Sequence, residues 1–187
     1  MILSIDFESN GFRGMNGGAP EPLSVGIVIC DFDFNILDSF YSLIRFSREK
    51  RFNLEAFAVH KIAFSELEKA PESKTIALSV IGAISCYASK VGKNKVIYHA
   101  LNEFDLKILR DWMIGVGLAK YLKDSLYDYE FISTIEMSKS KKYPIQSNKL
   151  STWASHLGKE FNHHNALDDA GVCMDIYKRL SMEAVLS

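Results

Sequence analysis

Long apolar runs, a strong excess of charge and paired cysteines are all missing from this 187-residue chain, and each absence closes off a class of protein. No apolar stretch approaches the ~20 residues a membrane-spanning helix needs. The N-terminal segment is apolar but reaches Asp6 at once, so it reads as a strand and not as a signal peptide. Lysine and arginine number 22 against 23 acidic residues, a formal charge of −1. That balance argues against a strongly basic nucleic-acid binder, while leaving room for a local patch. The single dense basic run, Lys139, Lys141 and Lys142, reads as a solvated loop. The three cysteines, Cys30, Cys86 and Cys173, are odd in number, lack CxxC spacing and sit in apolar segments. They read as reduced core residues of a cytoplasmic protein, neither a disulfide framework nor a zinc site.

What the chain does have is enough apolar material for a core. Hydrophobic residues make up 48% and charged residues 24%. With no repeat, low-complexity stretch or linker, residues 1–187 read as one domain. Met1–Glu8 alternates, with Leu3, Ile5 and Phe7 on one face and Ser4, Asp6 and Glu8 on the other. A loop rich in glycine and proline covers residues 10–22. Strands follow at Leu23–Asp31 and Ile36–Arg45, which suggests an antiparallel meander. Leu54–His60 reads as a short helix and Glu72–Val91 as a long amphipathic one stopped by Gly92. Lys95–His99 is a short strand. Asn102 is expected to cap a helix running to about Ile114. Tyr129–Ser133 is the last strand, and helices are expected at Lys149–Leu157 and Asn165–Met182. Three strands followed by alternating strands and helices imply an α/β fold, a central mixed five-stranded sheet flanked by helices. The order matches a ribonuclease-H-like architecture.

The chemistry lies in acids turned inward. Asp6 and Glu8 share a strand face, with Cα atoms roughly 7 Å apart on standard strand rise. A strand with its polar face to water would give the same pattern, so this pair alone decides little. Asp105 shares a helical face with Ile108, Leu109 and Trp112, which turns it toward the sheet. An acid near a helix N-terminus is also favoured by the dipole. In the last helix Asp169 aligns with Cys173, Ile176 and Leu180, the buried stripe, while Asp168 aligns with Asp175 and Arg179 on the wet side. Inward carboxylates are costly without a partner, and a hard divalent cation is a natural partner for several oxygens. The residues therefore point to a metal-dependent enzyme acting on phosphate esters. A histidine with a near-neutral pKa would suit it as general base.

Three segments then resemble the DEDD superfamily of 3′–5′ exonucleases, in the histidine subclass, also called DnaQ-like. The motif Asp-x-Glu-Thr-x-Gly resembles Asp6-Phe7-Glu8-Ser9-Asn10-Gly11. The stretch ending in Phe-Asp resembles His99-Ala100-Leu101-Asn102-Glu103-Phe104-Asp105. The motif His-x-Ala-Leu-x-Asp-Ala resembles His164-Asn165-Ala166-Leu167-Asp168-Asp169-Ala170. That register selects His164 over His163. Leu54–Pro71 is similar to the segment around Val-His-Gly-Ile, with Lys61 where glycine is common, and Ser133–Met137 to an Asp-Thr-Leu-Glu stretch.

The resemblance implies a metal-dependent 3′–5′ exonuclease that releases nucleoside 5′-monophosphates from single-stranded DNA or RNA. It implies two Mg2+ or Mn2+ ions. Asp6, Glu8 and Asp169 would hold one, Asp6 would bridge to the second, and Asp105 would support it through water. His164 would be the general base. Ser9, Gly11, Phe12, His60 and Asn102 would border the substrate, with Phe12 against the 3′-terminal base. Asn102 stands three residues before Asp105, where the family more often has asparagine four before. The competing reading is a nucleic-acid-binding or proofreading subunit of a larger polymerase or nuclease assembly. A chain ending at Ser187, just after the last helix, is expected to have no tail for such docking, which favours a free-standing enzyme.

Overall fold

A computed structural model describes residues 1–11, 20–46, 52–88, 92–160 and 162–182. Five strands form one mixed sheet in the order β3-β2-β1-β4-β5. They are β1 (Ile2–Ser9), β2 (Pro22–Cys30), β3 (Ile36–Leu43), β4 (Asn94–Tyr98) and β5 (Tyr129–Ser133). The first three make the expected antiparallel meander, and β1–β4 and β4–β5 pair in parallel. The helices are α1 (Leu54–His60), α2 (Phe64–Lys69), α3 (Ser73–Tyr87), α4 (Phe104–Gly115), α5 (Ala119–Ser125), α6 (Thr134–Ser140), α7 (Leu150–His156) and α8 (Ala166–Met182). The architecture is the expected one, an α/β fold with a ribonuclease-H-like mixed sheet between helices.

Helices cover both faces of the sheet, which explains why every residue of β2 is buried. On one face Leu3, Ile5 and Phe7 pack with Val80, Ile84, Leu106, Ile108 and Leu109 of α3 and α4. Phe7 meets Trp112 edge-on, with ring centroids 5.9 Å apart. On the other face Ala170, Cys173, Met174 and Tyr177 of α8 lie on Ile2, Val28, Cys30 and Ile97. The polar row of β1 thus faces a helix and not water. α7 closes the outer side of α8 through the fully buried Trp153.

Gly26 sets how closely α8 sits. It pairs with Asp6 across β1 and β2. A Cβ there would fall 2.1 Å from the carbonyl carbon and oxygen of Ala166 and 2.3 Å from the Leu167 nitrogen. Only a residue without a side chain lets the first turn of α8 rest on this strand pair. Among the described residues no helix is long and apolar enough to cross a membrane.

Several expectations need correction. Asn102 does not cap α4. It and Glu103 both adopt left-handed φ angles of 56°, and Glu103 takes the N-cap position without a side-chain cap bond. The extra turn moves the helix start to Phe104. α3 ends at Tyr87, short of Val91. Cys86 is exposed, on the outer side of α3, whereas Cys30 and Cys173 are buried as expected. Three short helices, α2, α5 and α6, carry too few turns for periodicity to announce them. Lys139 lies in the last turn of α6 and Lys141 caps it, so the basic run is exposed as expected but is partly helical.

Candidate active site

The acids meet where the C-terminal half of β1 runs beneath the first turn of α8. Asp6, Glu8 and Asp169 each bring a carboxylate oxygen within 4.8 Å of the others. Residue alternation turns Asp6 and Glu8 to the same face, and the α8 contact at Gly26 sets Asp169 above them. Glu8 is 8% exposed and Asp169 5%, while Asp6 keeps more open surface. Helical periodicity thus identifies the inward acid of the Asp168–Asp169 pair. Asp168 is half-buried and accepts a bond from the Asn162 backbone N–H at 3.3 Å.

Asp105 approaches from the other side. It is 4% exposed, and the backbone dipoles of Asp105 itself and of Phe7 lower its pKa against the effect of burial. Phe7 lies between Asp6 and Glu8, so the start of α4 stands against the acidic strand. Asp105 stands outside the 4.8 Å group but raises the pKa of Asp6 by its charge.

Burial is the largest force on all four carboxyls. It lifts Glu8 to about 8, Asp105 to about 7 and Asp169 to about 6; the charges of Asp169 and Asp105 add to the rise at Glu8, that of Asp169 to the rise at Asp105, and that of Asp168 to the rise at Asp169. For Asp169 the neighbouring His163 and the His164 backbone N–H pull the other way. Asp6 is driven well above the usual carboxylate range by burial, then by Asp105, Asp169 and Glu8. A cluster of hard oxygens held in unfavourable proximity suits a divalent cation, which would remove both the repulsion and the cost of burial.

Two histidines stand at the rim. The His164 backbone is left-handed, φ 68°, a conformation costing a residue with a Cβ about 1 kcal/mol or more. Its N–H donates to Asp169 Oδ2 at 3.2 Å, which helps hold that turn. Its Nδ1 lies 4.0 Å from Glu8 Oε1. Burial lowers its pKa, and the charge of His163 lowers it further. His163 stacks on it with centroids 3.8 Å apart and places Nδ1 3.4 Å from Asp169 Oδ1. The motif register selects His164 over His163, and the adjacency of the two histidines is the signal that both could reach the acids. His99 is engaged elsewhere, with its ring nitrogens 2.7 Å from Thr134 Oγ1 and 2.7 Å from the Asn148 carbonyl.

Ser9, Gly11 and His60 lie along the junction of β1 and α1. The Ser9 hydroxyl donates to the Gly11 carbonyl at 2.9 Å. Gly11 has φ 106°, and a Cβ there would meet Asn53 Nδ2 at 2.7 Å. The Asn53 backbone N–H donates to Asn10 Oδ1 at 2.8 Å, and the Asn53 side chain caps α1. The end of β1 is thereby stitched to α1, whose last residue is His60. His60 is 6% exposed, accepts the Ile62 N–H on Nδ1 at 3.0 Å, and feels the charge of His164. Lys61 caps α1 in the left-handed region, φ 59°, where glycine would be unstrained. Asn102 lies exposed in the turn before α4, and Phe12 lies outside the described residues.

Known proteins share this arrangement of elements. Over 180 residues the chain is 26% identical to the PolC-type DNA polymerase III of Thermotoga petrophila, a match covering 95% of this chain but 12% of that polymerase. E. coli Exonuclease I in complex with a dT13 oligonucleotide superposes with a TM-score of 0.79 at 14% identity, covering 96% of this chain and 40% of the other. A 3′-exonuclease in 3′-end specific recognition of the histone mRNA stem-loop superposes with a TM-score of 0.75 at 16% identity, covering 97% and 81%. At these identities the two structures speak for the fold. The sequence model of the RNase T exonuclease family matches residues 3–177, so nearly the whole length described above, acids and histidines included, belongs to the exonuclease family.

Proposed function

We propose that this chain is a 3′–5′ exonuclease that hydrolyses single-stranded DNA or RNA from the 3′ end and releases nucleoside 5′-monophosphates. The observation that carries this is the convergence of Asp6, Glu8 and Asp169 within 4.8 Å, with His164 at their rim. The exonuclease family depends on a divalent metal. For this chain the finer reading is two Mg2+ or Mn2+ ions. Asp6, Glu8 and Asp169 would hold one; Asp6 would also reach the second, with Asp105 supporting it. When bound, the ions would supply positive charge to the scissile phosphate and the leaving oxygen.

The chain's own residues do the rest. His164 takes the proton from the attacking water on a ring nitrogen. Its lowered pKa keeps it neutral, and hence a base, at physiological pH. The left-handed turn at His164 and its N–H bond to Asp169 fix that imidazole relative to the acids. Ser9, Gly11 and His60 form the wall for the terminal nucleotide. Gly11 keeps its backbone open there, because a side chain would strike Asn53. Captured oligonucleotide on Exonuclease I and stem-loop RNA recognition by the histone mRNA 3′-exonuclease support a nucleic-acid 3′ end as substrate.

The test is purified protein with 5′-labelled single-stranded DNA and RNA, in Mg2+, Mn2+ or chelator. A ladder shortening from the 3′ end and 5′-monophosphate products are expected, and chelator should stop both. Cleavage that persists in EDTA, or in Asp6→Asn protein, would overturn the metal reading.

A second reading has one observation in its favour. The chain matches a 12% portion of a PolC-type polymerase, which fits a proofreading unit acting within a polymerase assembly. Size-exclusion chromatography of the native complex separates the two: a free-standing nuclease elutes at the size of this chain or a small multiple.

A further inference from the structure

The one dense basic run of the chain has no task in the reaction proposed above. We propose that Lys139, Lys141, Lys142 and Lys149 form a track for the sugar–phosphate backbone of a single strand, upstream of the 3′ end being cleaved. The direction of the strand rests on the exonuclease reading; the affinity for nucleic acid does not.

Charge sets the segment apart. Residues 137–158 contain these four lysines and no aspartate or glutamate, in a chain whose formal charge is −1. All four are exposed. The nearest acid before them in the chain is Glu136, exposed on α6. Among the described residues none of the four ammonium groups enters an ion pair, whereas Arg45, Arg110 and Lys159 each hold a carboxylate. Four unneutralised cations in one loop suit a polyanion.

Position joins the loop to the acids. β1 and β4 run in parallel with Ser4 opposite Ile97. Two residues further along, Asp6 comes level with His99, one strand spacing of about 4.8 Å away. The His99 ring donates from Nε2 to the Asn148 carbonyl at 2.7 Å, and Lys149 follows Asn148. Met137, Tyr143 and Ile145 pack against Trp153, Val172 and Ile176 of α7 and α8, on the sheet face to which Asp6 and Glu8 point. The loop between α6 and α7 therefore shares both the end and the face of the sheet with the acids. It is also pinned. The Tyr143 ring lies on Trp153 with centroids 4.9 Å apart, and its hydroxyl accepts Arg179 Nε at 3.2 Å. A loop already fixed loses little entropy on binding.

The layout gives the strand its course. Residues around α1 and α2 pack with Leu23 of β2, on the opposite side of β1 from β4. The acids thus lie between the β1–α1 junction, proposed to take the terminal nucleotide, and the lysines. A strand with its 3′ nucleotide at the junction leaves across β4 and over the loop. Lysine meets phosphate as a point charge and reads no base.

Fluorescence anisotropy in chelator, with labelled oligo-dT and oligo-U of about 12 nucleotides, measures the track on the whole chain. In Lys139→Gln/Lys141→Gln/Lys142→Gln the slope of log affinity against log salt should shrink by about 2, at about 0.7 per single-strand phosphate contact. Affinity at about 50 mM salt should fall at least tenfold. The corresponding triple arginine variant keeps the charge and should bind like the parent. So should Lys120→Gln/Lys123→Gln on α5, which packs against the other face of the sheet. In Mg2+, kcat/KM of the triple glutamine variant should fall at least about tenfold on the long strand. It should match the parent on a dinucleotide, which has no phosphate beyond the scissile one. An unchanged salt slope, an equal loss in the α5 variant, an equal loss on the dinucleotide, or an arginine variant as weak as the glutamine one would overturn the track. A parent that binds both oligonucleotides through these lysines but cleaves neither would instead refute the proposed function and leave the binding surface standing.

Discussion

Replacing Glu8 by glutamine should stabilise the metal-free protein while damaging its metal site. Glu8 lies 8% exposed among Asp6, Asp105 and Asp169. Burial, then the charges of Asp169 and Asp105, raise its pKa from 4.5 to about 8. The folded protein then holds a proton that the unfolded chain releases above pH 4.5, so stability is full below that value and falls as pH rises through about 8. At about 1.4 kcal/mol per pH unit, the ceiling on that loss is about 5 kcal/mol. Relaxation and water entry reduce it, and we expect about 2 kcal/mol. For a chain of this length that is a rise in Tm of about 4–8 °C. The assay is thermal unfolding in chelator at pH 8.5 and again near pH 4.5. Glu8→Gln should unfold at the higher temperature at pH 8.5, and the gap should close toward pH 4.5. Added Mg2+ should reverse the order, because glutamine is the weaker ligand. Equal or lower stability of Glu8→Gln at pH 8.5 in chelator would refute the claim that these acids are held together under strain.

Asp169→Ala should be inactive and Asp168→Ala near normal in the same nuclease assay, since only Asp169 faces the acids; the opposite result would break the site as described. His164→Ala should lower turnover by about 10²–10⁴-fold with little change in metal affinity. The parent's rate should fall with decreasing pH only below the ordinary histidine value of 6.5, because burial holds this pKa down; an acid limb above 6.5, or one retained in His164→Ala, would count against the base. His163→Ala should keep near-normal turnover in the same assay; a loss as large as that of His164→Ala would move the base to His163. Gly26→Ala should destabilise the protein and cost activity together, because its methyl group meets the α8 backbone at 2.1 Å; a variant that melts and cleaves like the parent would disprove the close approach.

The inward acids were legible because each sits in a segment with one clear period. Alternation oriented Asp6 and Glu8, and the apolar stripe of α8 separated Asp169 from Asp168. Tyr129–Ser133 and Leu54–His60 were legible to the residue, bounded as they are by turn and cap signals. The start of α4 was not. Asn102 has the chemistry of a cap, but two consecutive left-handed residues shift the helix past it, and no local rule anticipates that pair. Nor did any periodicity reveal His163, whose place depends on a left-handed turn at its neighbour. Gly26 did carry a signal, a glycine inside an apolar strand, which marks a close backbone approach.

The seating of α8 on Gly26 has a consequence for how the protein acquires its activity in time. Asp6 and Asp169 are separated by nearly the whole described chain and meet only once the last helix has docked across the first strand pair. Contacts so distant in sequence form slowly, because the intervening chain must first be ordered. Strand pairing between β1 and β2 is local and can form earlier. Recovery of nuclease activity after dilution from denaturant should therefore follow the slowest phase, with none in the phases that build secondary structure. A chain lacking α8 should therefore fold in part and stay inert, its first strand pair formed but its acids incomplete.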